Sequence, residues 1–174
     1  MSQNPKRNDF EKAANIVRDA GGKVVGRTRL QKIAYLLELA GVGEGFKFEY
    51  RHYGPYSEEL SSAAQLAPLF NLLEEEERTA IWGGKYSIFT TNRPEDDVAT
   101  VGRKLLARTA VMADSVELEL AATAAFLSAE GEEDPWQETL RRKPEKASGG
   151  RLEKAKELYA KLREIETPKE LPIL

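Results

Sequence analysis

The chain predicts a mainly α fold with a small amount of β: a winged-helix-like N-terminal half over residues 8–94, a C-terminal helical bundle over 95–166 and an extended tail over 167–174, all in one domain. Three observations carry that prediction. Apolar residues recur at helical spacing in most of the chain, and side chains able to cap a helix stand in front of several of these stretches. Period-2 alternation is confined to short segments. Gly-Gly and Pro-containing pairs punctuate the chain at intervals suited to single elements.

In the first half, Asn8-Asp9-Phe10-Glu11 has the form of a capping box, and Phe10, Ala13, Ala14 and Val17 follow at helical spacing. Gly21-Gly22 ends this helix. Lys23-Val24-Val25 reads as a very short strand. Thr28-Arg29-Leu30-Gln31 is a second capping box, opening a helix with Leu30, Ile33, Ala34 and Leu37 inward, widened by Leu36 and Leu39. Phe46-Lys47-Phe48-Glu49-Tyr50 alternates like a half-buried strand, and Gly54-Pro55 reads as a turn. Ser57 is a good N-cap, with Glu58 and Glu59 in the first turn, where the helix dipole favours negative charge. Leu60, Ala63, Ala64 and Ala67 are the buried face of this third helix. Residues 69–77 read as a helical turn or two. Thr79 to Trp82 and Lys85 to Thr90 read as a hairpin around Gly83-Gly84.

The second half is all helix. Asp97 is placed to cap a helix with Val98, Val101 and Leu105 inward. Asp114-Ser115-Val116-Glu117 opens a stretch from Leu118 to Leu127 that is apolar nearly all round and so belongs between other helices. Asp134-Pro135 begins a short helix with proline at its favoured first position. Ser148-Gly149-Gly150 is a joint. The last helix carries Leu152, Ala155, Tyr159, Leu162 and Ile165. Its near-heptad spacing allows either packing on its own domain or dimerisation.

Composition removes several function classes. With no cysteine, disulfides, thiolate metal sites and cysteine nucleophiles are excluded, and the single histidine, His52, leaves no multi-histidine metal site. No cofactor motif is present. Gly41-Val42-Gly43-Glu44-Gly45 lacks the lysine-serine or lysine-threonine of a phosphate loop. The polar start has no apolar run behind it, and no stretch approaches the roughly 20 apolar residues of a membrane span, so the expectation is a cytoplasmic protein with no membrane partner. Net charge is -3 with 32% charged residues, which gives no global attraction to nucleic acid.

Two motifs stand out: Leu30-Gln31-Lys32-Ile33-Ala34-Tyr35-Leu36, and Tyr53-Gly54-Pro55-Tyr56-Ser57 followed by Glu59-Leu60. In that order the chain resembles the Panacea (SocA-like) antitoxin-domain superfamily over about residues 10–90. It is still more similar to YwgA-like bacterial proteins, toward which Tyr56-Ser57, Glu117 to Thr123 and Lys143-Pro144 lean. The Panacea resemblance implies a helical domain that binds and neutralises protein toxins.

The residues that would make such contacts are Arg29, Lys32, Arg51, His52, Tyr53 and Tyr56. Arg27, Arg29, Lys32, Arg51 and His52 form either a docking patch for an acidic partner or a phosphate, or solvated charge or salt bridges to Glu58 and Glu59. Tyr53 and Tyr56 flank the turn and serve either recognition or packing. Lys32, between Leu30 and Ile33, is placed at the margin of the core, and core packing is the reading for Tyr35 and Tyr50. The function expected is a non-enzymatic protein-interaction module, antitoxin-like or phage- or stress-associated, whose partner is a toxin or a host factor. The alternative is a nucleic-acid-binding regulator. No lysine or arginine lies between His52 and Glu77, so the third helix is a poor DNA reader. Binding would have to use Arg78 and Lys85 of the hairpin and the Arg141-Arg142-Lys143 stretch.

Overall fold

Glycine sets the first two joints of the chain. A computed structural model describes residues 7–174. Helix α1 (Arg7–Asp19) ends at Gly21 and Gly22, both at positive φ, and strand β1 (Lys23–Val25) follows. Gly26, at φ 97°, precedes helix α2 (Arg27–Leu39), and its N–H donates to the Ser87 carbonyl across the sheet. Both helices start earlier than their capping boxes predict. Asn8 lies inside the first turn of α1, and Thr28 lies inside α2, whose cap is a glycine with no side chain to accept a hydrogen bond.

After α2 the chain forms a two-stranded hairpin, β2 (Glu49–Arg51) with β3 (Gly54–Tyr56), pairing Glu49 with Tyr56 and Arg51 with Gly54. The reversal therefore falls at His52-Tyr53, and Gly54-Pro55 is strand rather than turn. The alternating stretch enters the ladder only at Glu49. Phe46 is buried ahead of it, and Phe48 sits edge-on to Tyr35 with ring centroids 5.3 Å apart.

Ser57 caps helix α3 (Glu58–Leu66) as predicted, its Oγ accepting from the Leu60 N–H at 3.2 Å. A 3-10 turn (Ala67–Phe70) leads to strand β4 (Glu74–Thr79), which pairs with β5 (Lys85–Thr90). The acidic run is thus a strand, and Ile81 and Trp82 form the exposed hairpin tip instead of lying in the ladder. The sheet order is β1-β5-β4 and every pair is antiparallel. A short strand between the first two helices joins a hairpin after the third, the arrangement expected of a winged-helix-like half. As an edge strand carrying glutamates, β4 resists pairing with a foreign strand.

The second half comprises α4 (Val101–Met112), α5 (Ser115–Ala129), α6 (Pro135–Arg142), α7 (Pro144–Ala147) and α8 (Arg151–Arg163). Asp114 and Asp134 cap α5 and α6 as expected. Helix α5 is buried from Leu118 to Leu127 and packs against α2, α6, α8 and β3. One hydrophobic core runs through both halves, from Phe10 of α1 to Leu162 of α8 and Leu171 of the tail.

Two predictions about the second half are corrected. Thr100, not Asp97, caps α4, and its inward face is Arg103, Leu106, Ala107 and Ala110, leaving Val98, Val101 and Leu105 exposed. The reason is a buried ion cluster. The Arg103 guanidinium donates to Asp19 and Glu44 at 2.7 Å each and to the Val42 carbonyl at 2.9 Å, which fixes that side of the helix inward. Burial pushes the Asp19 carboxyl up, but hydrogen bonds from Arg18 and Arg103 outweigh it and hold the carboxyl below its ordinary range.

The heptad-spaced face of α8 is likewise internal: Ala155, Tyr159 and Leu162 are buried in their own domain and are not available for dimerisation. The tail is extended but docked. The Tyr159 hydroxyl donates to the Pro172 carbonyl at 2.6 Å, and the Lys169 N–H donates to the Ala40 carbonyl at 3.0 Å. Among the described residues no helix is long and apolar enough to cross a membrane.

Candidate recognition site

A hairpin of two three-residue strands is not stable by itself in water. Here α2 and the second half grip its main chain. The Gln31 amide addresses Ser57 in both directions: its Nε2 donates to the Ser57 carbonyl at 2.9 Å, and its Oε1 accepts from the Ser57 N–H at 2.8 Å. Lys32 Nζ donates to the Pro55 carbonyl at 2.7 Å, and Lys143 Nζ donates to the His52 carbonyl at 3.1 Å. Gly54, at φ 92°, lies so close to α5 that a Cβ there would stand 2.5 Å from Thr123 Oγ1. The Gln31-Lys32 and Gly54-Pro55 motifs are therefore two halves of one brace, with Thr123 as the surface against which it closes.

The charges beneath the hairpin form a lysine-rich cluster. Lys32 is 1% exposed and Glu119 is 3% exposed, so both count as core. Lys146 Nζ donates to both Glu119 oxygens, and Lys143 Nζ lies 3.2 Å from the same carboxylate. Burial lowers the Lys32 pKa from 10.5 to about 7. The Glu119 charge opposes the shift, and Lys143 and Lys146 add to it.

Above the brace, Arg51, His52 and Tyr53 are exposed and Tyr56 is half-buried. Tyr53 is 52% exposed. The His52 ring meets it edge-on at 4.9 Å, and Lys146 Nζ lies 4.6 Å from its centroid. The Arg51 guanidinium lies 4.6 Å from the Tyr56 ring centroid and pairs with Glu49 and Glu58. Tyr53 and Tyr56 also line a cavity of about 230 Å³ between the hairpin, α2, α3 and the sheet. Its lining includes the buried apolar Leu30, Leu60, Ala64 and Phe89. Thr28, Gln31, Lys32, Ser61, Gln65 and the Arg27–Glu75 ion pair supply its polar lining.

Of the six contact residues predicted, Arg51, His52, Tyr53 and Tyr56 come together on this hairpin. Two do not belong to its outer surface. Lys32 is sequestered and works on the hairpin from inside. Arg29 is occupied elsewhere: its guanidinium donates to the Val25, Val111 and Ala113 carbonyls at 3.0, 2.9 and 2.6 Å and ties α2 to the end of α4. Tyr35 is buried and packs on Phe126 as expected, whereas Tyr50 packs on Phe126 but is only half-buried, with Arg142 over its ring. Gln31, Glu119, Thr123 and Lys143 belong to stretches that carry the family resemblance, but none of them is expected from the sequence as a contact residue of this site. Their roles depend on tertiary contacts, and a sequence carries no local signal for these.

Chemistry of the hydrolytic kind finds no support here, since Ser57 is buried as a helix cap and the His52 ring leans on Tyr53. The cations proposed for nucleic acid are paired: Arg78 with Glu76, Lys85 with Glu77, and Arg141 and Arg142 with Glu138. No family model matches the chain, and no curated protein or solved structure matches it either.

Proposed function

We propose that this chain is a non-enzymatic, antitoxin-like protein-interaction module and that the β2–β3 hairpin is its contact surface. The observation that carries the reading is an exposed Tyr53 and a half-buried Tyr56 beside an apolar-lined cavity, on a hairpin whose backbone is held from below. Tyrosine is enriched among residues that dominate binding energy at protein interfaces. A pre-braced hairpin avoids much of the ordering cost that a free loop pays on association. The partner is a protein, a toxin or a host factor, that places an apolar side chain in the cavity and packs over Tyr53. The acidic β4 strand beside the site disfavours a phosphate backbone and so supports protein over nucleic acid.

The test is capture of a partner from the native host, followed by titration of that partner with the wild type and with Tyr53→Ala and Tyr56→Ala. A loss of affinity of at least about tenfold for one of the variants is expected, the scale on which interface hot spots act. Tyr53 is half-exposed, so its variant should melt with the wild type. A partner bound equally by all three proteins would refute the assignment of the surface. For the antitoxin role itself, co-expression with the product of a neighbouring gene that arrests growth should restore growth, and Tyr53→Ala should weaken the rescue.

A further inference from the structure

A second, open pocket lies between the hairpin and the corner where α6 meets α7. Tyr50 and His52 line it from the hairpin side, and Arg142, Lys143, Glu145 and Lys146 line it from the other. Its cations share too few carboxylates. Lys146 Nζ donates to both Glu119 oxygens, and Lys143 Nζ lies 3.2 Å from one of them. Glu138 is held by Arg141 through two nitrogens and by Arg142 through Nε alone. Glu145 is the third carboxylate, and among the described residues it forms no ion pair. Four cations thus meet three carboxylates, which leaves one positive charge in excess. Arg51 also borders the pocket but takes no part, since its guanidinium is turned to Tyr56 and held by Glu49 and Glu58.

Hydrogen-bond donors are in excess as well. The terminal nitrogens of Arg142 donate to no carboxylate, and its guanidinium lies 4.8 Å from the Tyr50 ring centroid. An ammonium has three N–H groups. Lys146 spends two on Glu119, and its side chain is 36% exposed.

We infer that this pocket is a carboxylate site and that it receives an acidic side chain of the protein that covers Tyr53. One excess charge matches a monoanion. A planar carboxylate accepts two parallel N–H bonds from the end of an arginine, the strongest pairing that group makes, and here Lys146 supplies a third. A phosphate dianion would exceed the surplus and face Glu145. Lys146 connects the pocket to the aromatic surface, because its Nζ lies 4.6 Å from the Tyr53 centroid, and Tyr53 lines the apolar cavity. The partner therefore offers an acidic and an apolar side chain flanking Tyr53. The acidic side chain as occupant rests on the hairpin reading, whereas the carboxylate site itself does not.

Two measurements keep these apart. In the first, sodium acetate replaces sodium chloride at constant pH and ionic strength, and the ring protons of His52, the single histidine of the chain, report occupancy by NMR. Their signals should follow a saturable curve. Arg142→Gln should weaken acetate about three- to tenfold. Glu145→Gln should tighten it, because it removes the carboxylate of the lining. Both positions are exposed, so both variants should melt with the wild type. In the second, the captured partner is titrated, and Arg142→Gln should lower its affinity about tenfold. His52 signals that do not move, or that move equally in Arg142→Gln, overturn the site. A partner that loses affinity with Tyr53→Ala but not with Arg142→Gln overturns the acidic side chain as occupant. A partner indifferent to Tyr53→Ala and Tyr56→Ala removes the hairpin reading and the occupant together, while the acetate result still decides the site.

Discussion

Replacing Gly54 by alanine should lower the midpoint of thermal unfolding by roughly 5–15 °C, a loss of about 2–4 kcal/mol in a chain of this length. Two costs combine. At φ 92° an L-residue is strained, typically by about 1–3 kcal/mol. The new Cβ would also meet Thr123 Oγ1 at 2.5 Å, well inside contact distance, and overpacking of this sort costs about 1–3 kcal/mol. The contributions separate in a double variant. Thr123→Ala removes the obstructing oxygen, which is buried without a hydrogen-bond partner, so that change alone should be nearly neutral. Combined with Gly54→Ala, it should recover the steric part and leave the backbone part. An alanine at position 54 that melts with the wild type would show that the hairpin does not rest on α5 as described. A double variant no better than the single one would show that Thr123 is not the obstacle.

The second large effect concerns Lys32. Its pKa in the fold is about 7, whereas an unfolded lysine titrates near 10.4. Between those values the unfolded chain holds the proton and the folded chain has released it. Stability from this group therefore rises as pH goes from 7 toward 10, is lost progressively as pH falls back toward 7, and no longer changes below it. The full span corresponds to about 3–5 kcal/mol. Chemical denaturation of the wild type and of Lys32→Met at pH 7, 8, 9 and 9.5 gives the comparison. The stability of the wild type minus that of the variant should grow steadily over the series. Effects of Tyr35 and Tyr159, whose pKa values burial raises, cancel in the difference. A flat difference would mean that Lys32 keeps its charge in the fold, held by Glu119 more strongly than burial opposes it.

Much of the helical framework was legible because it depends on local chemistry. Ser57, Asp114 and Asp134 cap their helices with side-chain oxygens, and the all-round apolar stretch from Leu118 to Leu127 is buried all round. What failed to show locally was decided by distant partners. Glu74 to Thr79 lacks alternation because, as an edge strand, it exposes most of both faces. Helix α4 turns its more apolar ridge outward because Arg103 must reach Asp19 and Glu44. Gly54-Pro55 has the composition of a turn, but this glycine supplies close approach to α5 and a positive φ inside a strand. At the candidate site the exposed members could be found from the sequence, since aromatic and cationic residues crowd around one glycine-proline pair. The gripping role could not. Lys32 is expected as an outer contact, but what it and Gln31 hold depends on what lies opposite them, and Lys143 arrives from the other half of the chain.

The brace beneath the hairpin takes hold of carbonyl oxygens and one amide, at His52, Pro55 and Ser57. Every residue type offers a carbonyl, so the hold at position 52 does not depend on which side chain stands there. Positions 53 and 56 are not gripped by it at all. The tip can change its vocabulary while its syntax stays fixed. A lineage that needed to answer a new binding partner could rewrite 52, 53 and 56 one substitution at a time without passing through an unfolded ancestor.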